Sequence, residues 1–213
     1  MMLRTIEVSG VRYLVADEGT GPVILFVHGF PLDHTMWSSQ IKEFSKTNRV
    51  IAPDLRGFGG TDGALYAVSM EQYADDLVGL LEALQADQPI TFCGLSMGGG
   101  QAFYAGLESL DCFASVGVFS SGIFGGINNP SGKEFDAEKE IPGLLSNSQS
   151  FNQKLKLFYI SVGEQDPRIE FTKKAVKKFQ DSGLKVEFNS FPGDHEWQVW
   201  RKSLLDFASK VFK

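Results

Sequence analysis

A serine in Gly94-Leu95-Ser96-Met97-Gly98 is the strongest chemical signal in this chain. The pattern is Gly-x-Ser-x-Gly. An apolar run, 90–93, precedes it, and a run that reads as a helix, 96–107, follows it. In that order the three pieces make a sharp turn that lifts a serine Oγ clear of the backbone at the carboxyl end of a sheet. A serine hydroxyl attacks carbonyl carbons only when a base removes its proton, and the base needs an acid to orient it. The chain has three histidines, His28, His34 and His195. A turn of this kind takes its acid and base from later in the sequence, in the order Ser, Asp or Glu, His. That order selects His195, in Gly193-Asp194-His195-Glu196-Trp197, and Asp166, in Gly163-Glu164-Gln165-Asp166-Pro167. Asp166 also reads as a helix N-cap with Pro167 at the first helical position, and the two roles are compatible. Glu164, Glu170 and Asp194 stand as substitutes for the acid.

Attack on a carbonyl creates an oxyanion, which needs two N–H donors already in place. The amide of Met97, at the start of the helix behind Ser96, is one expected donor. The other should come from His28-Gly29-Phe30-Pro31, which follows an apolar run. Phe30 is the natural donor there, because Pro31 has no N–H. His28 then reads as a residue that braces the loop. In the segment 120–153, Ile123 and Phe124 read as apolar contacts for a substrate, with Phe30 opposite; Trp197 lies close enough in sequence to flank His195, but its place in the C-terminal helix pattern reads rather as core packing.

These residues need a scaffold that brings five loops to one edge. Residues 3–8 and 11–17 alternate apolar and polar around Ser9-Gly10, which predicts an antiparallel hairpin. The run Val23–Val27 is apolar throughout, as a strand buried on both faces should be. Further strands are expected at 50–52, 90–93, 113–119, 157–162 and 186–190. Helices are expected at 36–47, from Met70 to Leu84, at 96–107, at 169–181 and from Trp197 to Val211, from apolar residues at helical spacing. Ser69 and Gln72 form a capping-box signature. The segment 120–153, rich in Gly and Pro, reads as a loop with short helices around 135–145 and 147–153. A hairpin followed by alternating β and α units predicts a mostly parallel sheet of about eight strands with helices on both faces. With 213 residues, the chain reads as a single domain, 1–213.

Composition narrows the function classes. Lys plus Arg number 20 and Asp plus Glu 26, for a net charge of −6, and no basic block stands out, so no nucleic-acid partner is expected. Lys173, Lys174, Lys177 and Lys178 recur at helical spacing and read as a solvated face. No apolar stretch approaches the ~20 residues of a membrane span. The opening Met-Met-Leu-Arg-Thr-Ile-Glu lacks a signal-peptide pattern, so a cytoplasmic location is expected. Cys93 and Cys112 read as reduced thiols, and three histidines without a cysteine pair do not suggest zinc.

Beyond these patterns, the chain resembles the α/β-hydrolase fold family along its whole length. Residues 1–100 resemble the esterase, lactonase and perhydrolase branch, through FVHGFPLDHTMW (26–37), VIAPDLRGFGGTD (50–62) and CGLSMGG (93–99). Residues 101–213 resemble a carbohydrate-esterase branch that includes feruloyl esterases. The pieces there are FSSGIFGG (119–126), FNQKLKLFYISVGEQD (151–166) and PGDHEWQVWRKSLLDF (192–207). The two halves meet at the elbow, so the chain looks recombined, naturally or by engineering. The resemblance implies a serine hydrolase acting on carboxylic esters, short-chain or aryl, without cofactor or metal. Lactone opening and perhydrolysis use the same machinery, and a recombined scaffold with weak activity is the further alternative. Haloalkane dehalogenases, close in sequence to the first half, carry Asp at the position of Ser96, which argues against dehalogenation. Members resembling the first half insert a helical cap where this chain has only 120–153, so no large cap is expected.

Overall fold

A computed structural model describes residues 1–63, 68–86, 89–125 and 134–212. Eight strands form one sheet: β1 (Leu3–Val8), β2 (Val11–Glu18), β3 (Val23–Val27), β4 (Arg49–Pro53), β5 (Ile90–Leu95), β6 (Phe113–Phe119), β7 (Leu157–Gly163) and β8 (Glu187–Phe191). Their spatial order is β1-β2-β4-β3-β5-β6-β7-β8. β1 and β2 pair antiparallel, β2 pairs antiparallel with β4, and every pair from β4 to β8 is parallel. The β1–β2 turn places Ser9 at φ 50° and Gly10 at φ 78°. A two-residue turn with both φ positive matches the right-handed twist of a hairpin.

Helices α1 (Ser38–Phe44), α2 (Met70–Ala83), α3 (Met97–Glu108), α4 (Ala137–Glu140), α5 (Ser148–Lys154), α6 (Ile169–Asp181) and α7 (Trp197–Val211) surround the sheet. Along β3, Val23, Leu25 and Val27 join one apolar cluster with residues of α2, α3 and α6. Ile24 and Phe26 point the other way, into a cluster with Ile41 of α1 and Leu204 and Phe207 of α7. The uninterrupted apolar run of β3 is therefore the signature of a strand covered on both sides. Among the described residues, no helix is long and apolar enough to cross a membrane.

Several expected boundaries move, each for a local reason. The helix expected at 36–47 divides into a 3-10 turn, His34–Trp37, and α1. The Asp33 carboxylate accepts from the Thr35 amide and starts the chain turning early. Helix α3 begins at Met97 because Ser96 sits at φ 55°, outside helical geometry. The capping box is half formed: Ser69 Oγ accepts from the Gln72 amide, but the Gln72 side chain donates to Asp76. Asp166 does not cap α6 directly, since the N-cap is Arg168. Phe124 is also not a substrate contact. It is 3% exposed and packs edge-on against Phe103 and Phe135, with ring centroids at 5.6 and 5.2 Å. The Lys-rich face of α6 is solvated and paired: Lys173 with Glu170, Lys174 and Lys178 with Glu134, Lys177 with Asp181. Cys93 and Cys112 are free thiols. Residues 126–133 of the Gly- and Pro-rich segment 120–153 fall outside the described residues.

Candidate active site

The parallel register sets the site. Val27 pairs with Gly94, Leu95 with Phe119, Phe119 with Ser161, and Gly163 with Phe191, so the carboxyl ends of five strands finish at one edge. Ser96 leaves β5 there, Asp166 follows β7 and His195 follows β8. Residues almost a hundred positions apart meet without any long side chain having to reach.

Ser96 holds φ 55° and ψ −115°, a conformation that non-glycine residues rarely occupy. The tight turn is possible because its flanks lack side chains. A Cβ on Gly94 would run into the carbonyl of Gly98, and one on Gly98 into the carbonyls of Val27 and His28. The Ser96 Oγ lies 3.1 Å from His195 Nε2, and His195 Nδ1 lies 2.9 Å from Asp166 Oδ2. With the carboxylate accepting from Nδ1–H, Nε2 is free to accept from the serine hydroxyl. The structure thus brings Ser96, His195 and Asp166 into one hydrogen-bonded row. Asp194 does not compete, because its carboxylate accepts the His195 backbone N–H instead. Glu170 is paired with Lys173 at the surface.

Asp166 is 1% exposed. Its Oδ1 accepts from the Arg168 amide at 2.9 Å and from the Arg168 guanidinium at 3.0 Å. Burial pushes this carboxyl up. The bonds from His195 and from the Arg168 amide and guanidinium outweigh it and hold the group below the usual carboxylate range. Asp166 is therefore an anion whose two oxygens have separate duties. The role of Arg168 was not visible in the sequence beyond its place two residues after Asp166. Trp200 was also missed as the neighbour of His195, while Trp197 packs against the apolar cluster, as its helix spacing indicated. The Trp200 ring stands edge-on to His195 at 5.1 Å, with Trp197 packed behind it at 5.9 Å.

The loop after β3 lies against the elbow, where a Cβ on Gly29 would be 3.1 Å from Ser96 Cβ. Among the described residues, neither the Phe30 nor the Met97 amide donates to a protein acceptor. The Phe30 side chain is 69% exposed and meets Phe58 edge-on at 6.0 Å. His28 is fully buried. Its Nδ1 bonds the Gly29 carbonyl and its Nε2 accepts from the Leu55 amide at 3.0 Å, which ties two loops together. Burial lowers its pKa, the Gly29 bond only partly opposes this, and the ring stays neutral.

The described residues contain one group spaced for a metal ion, Asp33, His34 and Asp54. Its donors are already used by the protein. Asp54 Oδ1 accepts from the His34 backbone at 2.7 Å and pairs with His34 Nδ1 at 2.6 Å, and Asp54 Oδ2 accepts from the Gly60 amide. Asp33 accepts from Thr35. This network shapes the loops beside Phe30.

Comparison with known proteins places these features in a family. The model of the alpha/beta hydrolase fold matches residues 22–156. Epoxide hydrolase 1 of Siraitia grosvenorii is 44% identical over 87 residues, 39% of this chain and 28% of that protein. The 3-oxoadipate enol-lactonase 1 of Acinetobacter baylyi is 32% identical over 100 residues, 47% of this chain and 37% of that protein. The chain thus spans well under half the length of these curated relatives. Among solved structures, a thermophilic esterase from Thermogutta terrifontis is 25% identical, covers 100% of both chains and has a TM-score of 0.71.

Proposed function

The chain belongs to the alpha/beta hydrolase fold family, and from that premise we propose that it is a serine hydrolase that cleaves carboxylic esters through an acyl-enzyme. The observation that carries this reading is the hydrogen-bonded row from Ser96 Oγ through His195 to Asp166 Oδ2, at 3.1 and 2.9 Å. In this mechanism His195 Nε2 takes the Ser96 proton as Oγ attacks the carbonyl carbon. The Phe30 and Met97 amides hold the resulting oxyanion. His195, its positive charge stabilised by Asp166, returns the proton to the departing alkoxide. Water then enters, His195 takes its proton as the water oxygen attacks the acyl carbon, and the imidazolium returns that proton to Ser96 Oγ as the acid leaves.

The nucleophile argues against epoxide opening, despite the likeness to epoxide hydrolases. Serine attack on an epoxide carbon would leave an alkyl ether, which water cannot cleave with this machinery. Attack on an ester leaves an acyl-enzyme, which it can. The exposed ring of Phe30 beside Phe58 offers an aromatic surface, which favours short-chain or aryl esters. The likeness to an enol-lactonase favours lactone opening as a second reading, since a lactone is an ester whose alcohol stays attached.

In the same reading the chain is one domain of two origins that join near residue 100. A single sheet spanning both halves supports the first part. The second part rests on the different resemblances of the two halves, while the family match itself runs across residue 100, from 22 to 156. The partner is a small-molecule ester, and the chemistry needs no metal or cofactor.

A fluorophosphonate probe should label Ser96, and p-nitrophenyl acetate should give an acylation burst followed by turnover. Ser96→Ala should lose both, with an unchanged circular dichroism spectrum. Turnover retained in purified Ser96→Ala would overturn the assignment. Faster hydrolysis of an enol-lactone than of the aryl ester would favour the second reading. Labelling without turnover would identify a scaffold that acylates but does not discharge.

A further inference from the structure

Behind the Ser96–His195 pair lies a small cavity of about 10 Å³, lined among others by Trp37, Gln40, Leu95, Trp200 and Arg201. Leu95 directly precedes the nucleophile, and Trp200 is the residue whose ring abuts His195. Three of these residues each carry a buried polar atom without a hydrogen-bond partner among the described residues: Trp37 Nε1, Trp200 Nε1 and Gln40 Oε1. Trp37 itself is only 2% exposed. Two of these atoms can only donate, and the third can only accept. Left unpaired, each would carry the full cost of its lost hydration.

We infer that this cavity holds one resident water, and that through it Gln40 is a positioning residue for His195. The volume matches roughly one water, and a buried water needs two to four polar partners. The chemistry of the three atoms selects the occupant. Water accepts from both indole N–H groups with its two lone pairs and donates one O–H to Gln40 Oε1. Ammonium has nothing with which to accept from the indoles. Chloride accepts from both and is drawn by Arg201 in the same lining, but it has no proton to offer the Gln40 carbonyl oxygen, so water is the occupant that pairs all three atoms.

The bridge joins elements far apart in sequence. Trp37 closes the 3-10 turn and is stacked on Phe26 of β3, with centroids 4.7 Å apart. Gln40 is on α1 and Trp200 on α7. Residues 37 and 40 lie in one of the two sequence halves and residue 200 in the other. The water therefore ties the indole that borders the base to the half that supplies the nucleophile. Ring contacts alone resist sliding weakly, whereas three directional bonds fix the indole plane and, through it, the His195 ring. The link to His195 rests on the proposed role of that residue as base, but the water itself does not.

Two measurements on the full chain separate these claims. In wild type, the indole N–H signals of Trp37 and Trp200 should both show cross-relaxation with a long-lived water, and a high-resolution crystal structure should place one water within hydrogen-bond distance of all three atoms. Absence of that water, or chloride in its place, overturns the site. Gln40→Met removes the acceptor at similar length. It should lower kcat about tenfold with KM unchanged, as expected for a displacement of the base by a fraction of an ångström. Gln40→Glu, which keeps the acceptor, should restore most of the rate. Unchanged kcat in Gln40→Met overturns the positioning role. If that variant does not fold, Trp200→Phe serves instead: it should shift the Trp37 indole signal, and an unmoved signal overturns the bridge. Should Ser96→Ala retain turnover while the hydration signals persist, the esterase reading fails and the water site stands.

Discussion

Replacing Asp166 by Asn tests how the two oxygens of this carboxylate share their work. Oδ2 accepts from His195 Nδ1 at 2.9 Å, while Oδ1 accepts from both the amide and the guanidinium of Arg168. An asparagine at this position has one oxygen and one NH₂ group. Two fixed donors on the Arg168 side will claim the oxygen, so the NH₂ turns toward His195. The imidazole must then accept at Nδ1 and carry its proton on Nε2, where it faces Ser96 as a donor and cannot take the serine proton. A wrong tautomer of this kind costs ~10⁴ in kcat in a serine protease. At about 1.4 kcal/mol per tenfold, that is about 5.5 kcal/mol of lost transition-state stabilisation. The geometry adds a second expectation. In Asp166→Asn/Arg168→Met the guanidinium no longer holds the oxygen and only the backbone N–H of residue 168 still does, so the side-chain amide flips more readily to the orientation that gives the productive tautomer. The double variant should regain on the order of tenfold over Asp166→Asn, a coupling of about 1–2 kcal/mol, within the range for residues in contact. The assay is kcat/KM on p-nitrophenyl acetate, corrected by active-site titration with a fluorophosphonate. Activity of Asp166→Asn within tenfold of wild type, or a double variant no faster than the single one, would refute the reasoning.

Three further outcomes follow from the packing. Glu138 accepts from the amides of Gly143, Leu145 and Ser146 and from the Ser146 hydroxyl. Led by the Ser146 hydroxyl, these bonds lower its pKa from 4.5 to about 2. Because the folded value is depressed, the stabilisation is complete above pH 4.5 and is lost as pH falls toward about 2. The three amide signals should titrate together in that window in an NMR series, and the titration should vanish in Glu138→Gln. Arg56 is paired with Asp76 through bonds of 2.6 and 2.8 Å, both side chains being buried. Arg56→Met strands the carboxylate and should cost about 3–5 kcal/mol in urea unfolding, and a cost below 1 kcal/mol would contradict this. Gln101 is fully buried on α3 with both side-chain polar atoms unpartnered among the described residues. Gln101→Met should add about 1–3 kcal/mol, read as a Tm several degrees higher, and a lower Tm would show that the amide has a partner.

Much of this molecule is legible in its residues because local physics dominates there. The apolar run Val23–Val27 had to be a strand covered on both faces, and its two sets of side chains do enter opposite clusters. Gly94-Leu95-Ser96-Met97-Gly98 had to be a strand-to-helix turn, since only glycines tolerate the backbone contacts on either side of Ser96. Chain order then sufficed to choose Asp166 and His195 as the residues to meet it. Where short-range rules compete, the sequence is less decisive. Gln72 had both Ser69 and Asp76 within reach, and the carboxylate won. Phe124 sat in a glycine-rich segment that reads as surface, yet the gap between Phe103, Phe135 and Phe179 took it into the core.

What only the tertiary structure decided are contacts between groups that no period or motif relates. Arg168 as the second partner of Asp166, Trp200 rather than Trp197 against His195, and the meeting of Trp37 and Gln40 with Trp200 all depend on how loops and helices settle around a finished sheet. Spacing along a chain encodes which face of an element is apolar and where a turn must fall. It does not encode which polar atoms face each other across an interface, because that requires the angle and distance between elements far apart in the chain. Sequence alone thus determined the sheet, the strand-to-helix turn at Ser96 and the order of candidate residues. The separate duties of the Asp166 oxygens and the polar lining behind His195 emerged only once those elements had packed.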